Sequence, residues 1–224
     1  MIFCNRTDST VALFKGHDSR GSARCLFHYV VLCWTFCVSH SIKYYVFHSL
    51  IPYSHLCHKS NPNVLRDSEL LCQLLLALTN VCVLVDWHQH LLPLLPRLLS
   101  IVHARDDRAV TLQALRLLVN LACNDEMAAP LLSSSCPTGL PSLILPPEPE
   151  ERILRSISLL ANLAMAAQRA HLNNQPSEEG SLQRRLFLEE KNQVFAAAQR
   201  LMAYHHNGDV RGMASKLVNV LETC

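Results

Sequence analysis

Three aliphatic segments, each with an asparagine at the same place, recur along this chain. Leu74 to Val83 reads LLLALTNVCV, Ala114 to Cys123 reads ALRLLVNLAC, and Ser156 to Met165 reads SISLLANLAM. The asparagines are Asn80, Asn120 and Asn162, spaced by 40 and 42 residues. A repeat of that length is one supersecondary unit of two or three helices. A single unit has an apolar face that it cannot bury alone, and it buries that face by stacking on its neighbours. Leucine dominates from residue 70 onward and the chain has only 6 glycines, which favours helices over sheet.

A fourth segment, Val210 to Leu221, keeps the aliphatic positions of Val110 to Leu121. Its Asn219 falls one place early, and Val220 takes the asparagine position. The interval from Leu163 to Leu221 is longer than one period, and Ala170 to Gly180, AHLNNQPSEEG, reads as the loop that holds the surplus. Helix starts fit this frame. Asp106-Asp107, Pro149-Glu150-Glu151 and Asn207-Gly208-Asp209 each precede a periodic segment, where acidic, amide and proline residues suit the unpaired N–H groups of a first turn. Second helices are expected over Leu91 to His103, where Pro93 and Pro96 limit the start, and over Ser181 to Tyr204, with a break near Lys191. The prolines of Pro137 to Pro149 leave room for only a short helix. The expected fold is all-α: a right-handed armadillo-like α-solenoid of about three to four repeats over residues 67 to 224.

The first 60 residues are different in kind. They are rich in Cys, His, Tyr, Phe and Ser and show no helical period, and Lys59 to Asn63 reads as a turn-rich linker. Within them the run Leu26 to Ile42 is apolar but interrupted by His28 and His40, and it is short of the ~20 residues that a bilayer-crossing helix needs. Two readings stand: a membrane anchor through residues 26 to 42, or a segment that does not belong to the domain.

Half of the chain is apolar and 17% is charged, which excludes a disordered chain. The net charge is +2 and no run of five basic residues occurs, so no nucleic-acid partner is indicated. The 10 cysteines follow no leader-like apolar core, and several sit in leucine-rich stretches, as reduced thiols facing the cytosol do.

From Ser68 to Cys224 the chain resembles the C-terminal part of the armadillo domain of the armadillo repeat-containing X-linked and armadillo repeat-containing protein 10 family, to which armadillo repeat-containing protein 12 is also similar. The matching residues are Leu75 to Asn80 with Asp86 to Leu91, Gln113 to Leu121 with Glu126-Met127, Gly180 to Leu182 with Phe187 and Glu189-Glu190, and His205-His206 with Asp209-Val210. The family's domain has more repeats upstream, and its anchor sits closer to the N-terminus. The resemblance implies a non-catalytic adaptor on the mitochondrial outer membrane, facing the cytosol. It implies partners among mitochondrial motor-adaptor proteins and a bearing on mitochondrial distribution or dynamics. The alternative is a soluble adaptor in cytoplasm or nucleus.

Asn80, Asn120 and Asn162 are the candidate site residues. A ladder of amides can both donate to and accept from a bound peptide's backbone. The plainer reading is that each satisfies a nearby loop carbonyl or helix end. Importin-type grooves carry a tryptophan one turn before the asparagine. Here those places hold Leu76, Arg116 and Ser158, so nuclear-cargo binding of that type is not expected. His88-x-His90 and His205-His206 supply only two ligands each, short of the four of a closed zinc site. Cys33, Cys37, His40, His55, Cys57 and His58 form a fuller cluster, which carries the alternative of a metal-binding protein. No phosphate loop or nucleophile elbow occurs, Glu178-Glu179 and Glu189-Glu190 read as solvated charges, and nothing marks Cys123 or Cys136 as activated. Neither a cofactor nor catalysis is expected.

Overall fold

The computed structural model describes residues 62–104, 107–145, 148–171 and 177–223, which lie in a compact unit running Ser60–Cys224. The apolar run at residues 26 to 42 and the Cys33 to His58 cluster lie outside the described residues. Four long helices carry the repeated segments: α1 (Pro62–Val81), α3 (Arg108–Ala122), α5 (Glu150–Arg169) and α7 (Gly208–Thr223). Between them lie α2 (Leu95–Ala104), α4 (Ala128–Ser133) and α6 (Lys191–Tyr204). Helix α1 packs on α3, α3 on α5 and α5 on α7, making one row. Helices α2, α4 and α6 pack on α3, α5 and α7 as a second layer. This is an armadillo-like all-α solenoid.

The row is parallel and in register. Near the helix starts, the Ser68 hydroxyl donates to Asp107, 39 residues on, and Arg116 from the middle of α3 pairs with Glu151 in the first turn of α5. Near the helix ends, the Asn120 amide approaches the Thr79 carbonyl from 41 residues on. Between α5 and α7, Asn207 Nδ2 donates to Glu150 at one end, and Gln168 Nε2 donates to Thr223 Oγ1 at the other, 57 and 55 residues apart. The sequence period is therefore the contact register between neighbouring helices, with a longer third step. Leu115, Leu117, Leu118 and Leu121 of α3 are fully buried, as a helix covered on three sides requires.

Local signals set the ends. Asp107 Oδ1 accepts from the N–H groups of Ala109 and Val110 at the start of α3, and Asn207 Oδ1 accepts from Asp209 and Val210 at the start of α7. Pro62 opens α1 from within the stretch expected to be a turn-rich linker. Proline is tolerated there because a first-turn N–H has no partner inside the helix.

Every row helix but the last is followed by a short, irregular helical piece. After α1 come a 3-10 turn (Val85–Trp87), one α turn (His88–Leu91) and a second 3-10 turn (Leu92–Leu94). Pro93 and Pro96 hold α2 to a start at Leu95. After α3 come Asp125–Met127 and α4; after α5 and its loop come Leu182–Arg184 and a π turn, Arg185–Glu189. Each unit so formed has a short first helix, a second helix and a row helix. In the middle unit the prolines reduce the second helix to one 3-10 turn, Leu140–Leu143.

The shortened middle unit is braced by the next one. Leu182 N–H donates to the Ser134 carbonyl, and Cys136 N–H donates to the Gly180 carbonyl, both at 2.9 Å. Glu190 corrects the sequence reading. It is buried rather than solvated, and its carboxylate accepts from the N–H groups of Gly139 (2.8 Å) and Leu140 (2.7 Å). Those are the unpaired donors at the start of the 3-10 turn, so a carboxylate from 50 residues away replaces the missing local cap. Gly139 holds φ +101°, the left-handed region that a side chain disfavours, and this turns its N–H toward Glu190.

Candidate functional site

The first three row helices, α1, α3 and α5, each leave one stripe uncovered by their neighbours. On α3 it runs Leu112, Arg116, Asn120, Cys123, and on α5 it runs Leu154, Ser158, Asn162, Met165. These residues recur every three or four places, hence on one face. On α1 the corresponding places are Cys72, Leu76, Asn80 and Val83, and on α7 they are Gly212, Lys216, Val220 and Thr223. Because the helices are parallel and in register, the four stripes lie side by side as one polar-apolar face.

Asn80 is exposed, while Asn120 and Asn162 are half-buried. Asn120 Nδ2 lies 3.5 Å from the Thr79 carbonyl of α1, and Asn162 Nδ2 lies 3.5 Å from Cys123 Sγ after α3. Each amide thus reaches back to the end of the preceding row helix, as the plainer sequence reading expects. The first contact is long for an N–H donor to oxygen, the second is an ordinary but weak contact to sulfur, and neither engages the amide oxygen, so most of the hydrogen-bonding capacity of both groups is unused. At the fourth rung Val220 is buried and Asn219 is exposed. The equivalent of Asn219, Val119, is covered by the following row helix, and α7 is followed by none among the described residues.

Charge on the face is arranged in two tiers. Glu151 occupies the first turn of α5, where a helix N-terminus favours carboxylates, and Glu69 stands farther along α1. Glu150 beside Glu151 is held below its ordinary carboxyl range by hydrogen bonds from Asn207 and His206. Nearer the asparagines stand Arg116, Arg155 and Lys216. Arg116 Nη2 is 2.5 Å from Glu151. Lys216 Nζ is 3.7 Å from Met213 Sδ.

The other residues singled out in the sequence fall elsewhere. His88 is buried: Nε2 lies 2.6 Å from the Cys82 carbonyl and Nδ1 lies 2.9 Å from Asn124 Nδ2. It ties the end of α1 to the loop after α3. His90 is exposed against the Trp87 ring. His205 and His206 stack on each other, and His206 Nε2 meets Glu150 at 2.6 Å. Among the described residues no group of three His, Cys, Asp or Glu is placed to hold a metal ion. Burial pushes the Cys136 thiol up to about 12, against the opposing pull of Arg185, so it is an inert thiol. Cys123 is exposed at the end of α3. The buried roles of His88, Asn124 and Glu190 escaped sequence reasoning. No local pattern announces a partner 36 or 50 residues away.

A family model described as armadillo-like matches residues 56–186 of the chain. No curated protein matches it.

Proposed function

We propose that this chain, which belongs to the armadillo-like family, is a non-catalytic protein-interaction module that takes an extended segment of a partner protein across its row helices, over Asn80, Asn120 and Asn162. The carrying observation is the repeated rung: parallel helices present an outward amide at the same height, with Asn120 and Asn162 held only by 3.5 Å contacts. Side-by-side helices lie ~10 Å apart, so three rungs span roughly 20 Å, the reach of about six extended residues. Rungs at that spacing suit main-chain N–H and C=O groups of a strand-like peptide, which supply affinity without fixing its sequence.

Selection from a random peptide library on the immobilised full chain tests this reading. The expected result is a set of binders whose affinity falls about tenfold in Asn120→Ala and again in Asn162→Ala, each removing one hydrogen-bonding amide. Failure to recover binders, or binders indifferent to both substitutions, overturns it.

The module's place in the cell is proposed from the resemblance of Ser68 to Cys224 and from the apolar run at residues 26 to 42: the mitochondrial outer membrane, facing the cytosol, with motor-adaptor proteins as partners. Among the described residues no helix is long and apolar enough to cross a membrane, so attachment falls to that run. A fluorescently tagged full chain should coat mitochondria, and Val31→Arg with Leu32→Arg should release it. A full chain that is diffuse or nuclear favours the soluble adaptor.

A further inference from the structure

We infer that Asn207 is a site of spontaneous chemical modification, where the side-chain amide is lost as ammonia and the amide link from α7 to α5 is lost with it. The inference stands apart from the peptide-binding reading. Asn207-Gly208 is the chain's one Asn-Gly pair. In this step the backbone nitrogen of the following residue attacks the asparagine Cγ, and a side chain on that residue hinders the approach. Glycine has none. The fold does not require glycine there. Gly208 is not in the left-handed region, and a Cβ on it would meet Arg211 Nη2 at an ordinary 3.7 Å. Its N–H belongs to the first turn of α7, whose N–H groups have no partner inside the helix.

Gly208 N bonds to Asn207 Cγ and closes an imide ring. The bond from Cγ to Nδ2 breaks, and Nδ2 takes the Gly208 N–H proton and leaves as ammonia. Water then opens the ring at either carbonyl, giving aspartate or its isomer with the main chain routed through Cγ. Local contacts hold the step back. Asn207 Oδ1 accepts the N–H groups of Asp209 (2.8 Å) and Val210 (3.3 Å), and Nδ2 donates to Glu150 Oε1 at 2.6 Å. Ring closure takes both atoms away from these partners. Glu150, His206 and Gly208 are exposed, and helix ends at the surface open locally, so the step proceeds in the open fraction. It runs one way. A carboxylate at position 207 still caps α7, but it has no donor for Glu150 and repels it. Arg211, whose Nη1 donates to the His205 and His206 carbonyls, is the cation beside it. The contact of His206 Nε2 with Glu150 Oε2, at 2.6 Å, is then left without its neighbour.

Peptide mapping by mass spectrometry, on the full chain kept in mildly alkaline buffer for days to weeks, reads this out. Amide-to-acid conversion is expected at Asn207 ahead of the other asparagines, each of which is followed by a larger residue. Gly208→Ala should slow it about tenfold. Glu150→Ala should speed it about threefold or more, and Glu150→Gln, which keeps an acceptor for the amide, should fall between that variant and the parent. Unchanged rates at the other asparagines show that the whole fold has not loosened. Conversion at Asn207 no faster than at the others, or indifferent to Gly208→Ala, overturns the site. Equal rates in the parent and Glu150→Ala, or a rise shared by every asparagine, overturns the restraint by Glu150. Hydrogen exchange of Asn207→Asp reads the consequence. Amides in the first turns of α5 and α7 should exchange faster than in the parent, and unaltered protection overturns the loss of the link.

Discussion

The side-chain amide of Asn124 donates to the buried Nδ1 of His88 at 2.9 Å, while the opposite ring nitrogen of His88 donates to the Cys82 carbonyl at 2.6 Å. One neutral imidazole with its proton on Nε2 satisfies both contacts, so the ring is a strut between the end of α1 and the loop after α3. Asn124 is fixed from its other side, since its Oδ1 accepts the Glu126 N–H at 3.1 Å.

Removing either half of that strut strands a buried polar atom. His88→Ala and Asn124→Ala should each lower unfolding free energy by about 1–3 kcal/mol, and the double variant should cost less than the sum by ~1 kcal/mol. Urea melts of the four proteins in the cycle measure the coupling. Strictly additive losses would mean that the two residues act separately.

Glu190 carries a larger load. Its carboxylate accepts two buried N–H groups, and Arg185, whose Nη1 is 3.8 Å away, donates Nε to the Cys136 carbonyl beside it. Glu190→Ala leaves the Gly139 and Leu140 donors without an acceptor, at a cost of about 2–4 kcal/mol. Glu190→Gln keeps one acceptor oxygen and should lose roughly half as much. Hydrogen exchange should locate the damage. The Gly139 and Leu140 amides should exchange faster in Glu190→Ala while those of α3 stay protected, and uniform loosening would count against a local cap.

These two features mark where the sequence stopped being informative. The row helices were legible because burial forces a helical period on each of them and stacking forces the same period between them. Asp107 and Asn207 were legible as caps because a cap sits next to the turn that it serves. His88 meets a side chain 36 residues distant and Glu190 caps backbone 50 residues distant, in units whose own helices are cut short by proline. The pair Glu189-Glu190 looks like a solvated charge run, yet one member is exposed and the other buried, because the π turn at Arg185–Glu189 carries Glu190 inward. The asparagine rungs fall between these cases. Their period was plain, whereas their weak hold on Thr79 and Cys123 needed the register between helices.

The buried pair of Glu148 and Arg152, 3.1 Å apart, also joins two layers, because Arg152 Nη2 donates to the Val102 carbonyl near the end of α2. Arg152→Ala takes a charge partner from a buried carboxylate and should cost about 3–5 kcal/mol. Replacing both partners together, as Glu148→Leu with Arg152→Met, should recover most of that loss, since the desolvation of two charges disappears with the pair. A thermal midpoint of the double variant no higher than that of Arg152→Ala would show that the Val102 contact, rather than the charge, dominates.

Acid should act on the first step of the row through Asp107. Burial alone would raise its carboxyl, but the Ser68 hydroxyl and the N–H groups of Val110 and Ala109 outweigh burial and hold it below its ordinary value. A carboxyl depressed in the folded state contributes stability that is present above its unfolded value, ~3.9, and is lost as pH falls through the folded value. Asp107→Asn keeps an acceptor for the helix start and cannot titrate. Its stability relative to the parent protein should therefore be lower at pH 7, and the gap should narrow as pH falls below the unfolded value of ~3.9. Asp107→Ala loses the cap as well and should remain ~1 kcal/mol weaker throughout. Chemical denaturation at pH 7, 5 and 3 measures both differences, and a parent-to-Asn gap that stays constant over that range would place the acid sensitivity at some other carboxylate.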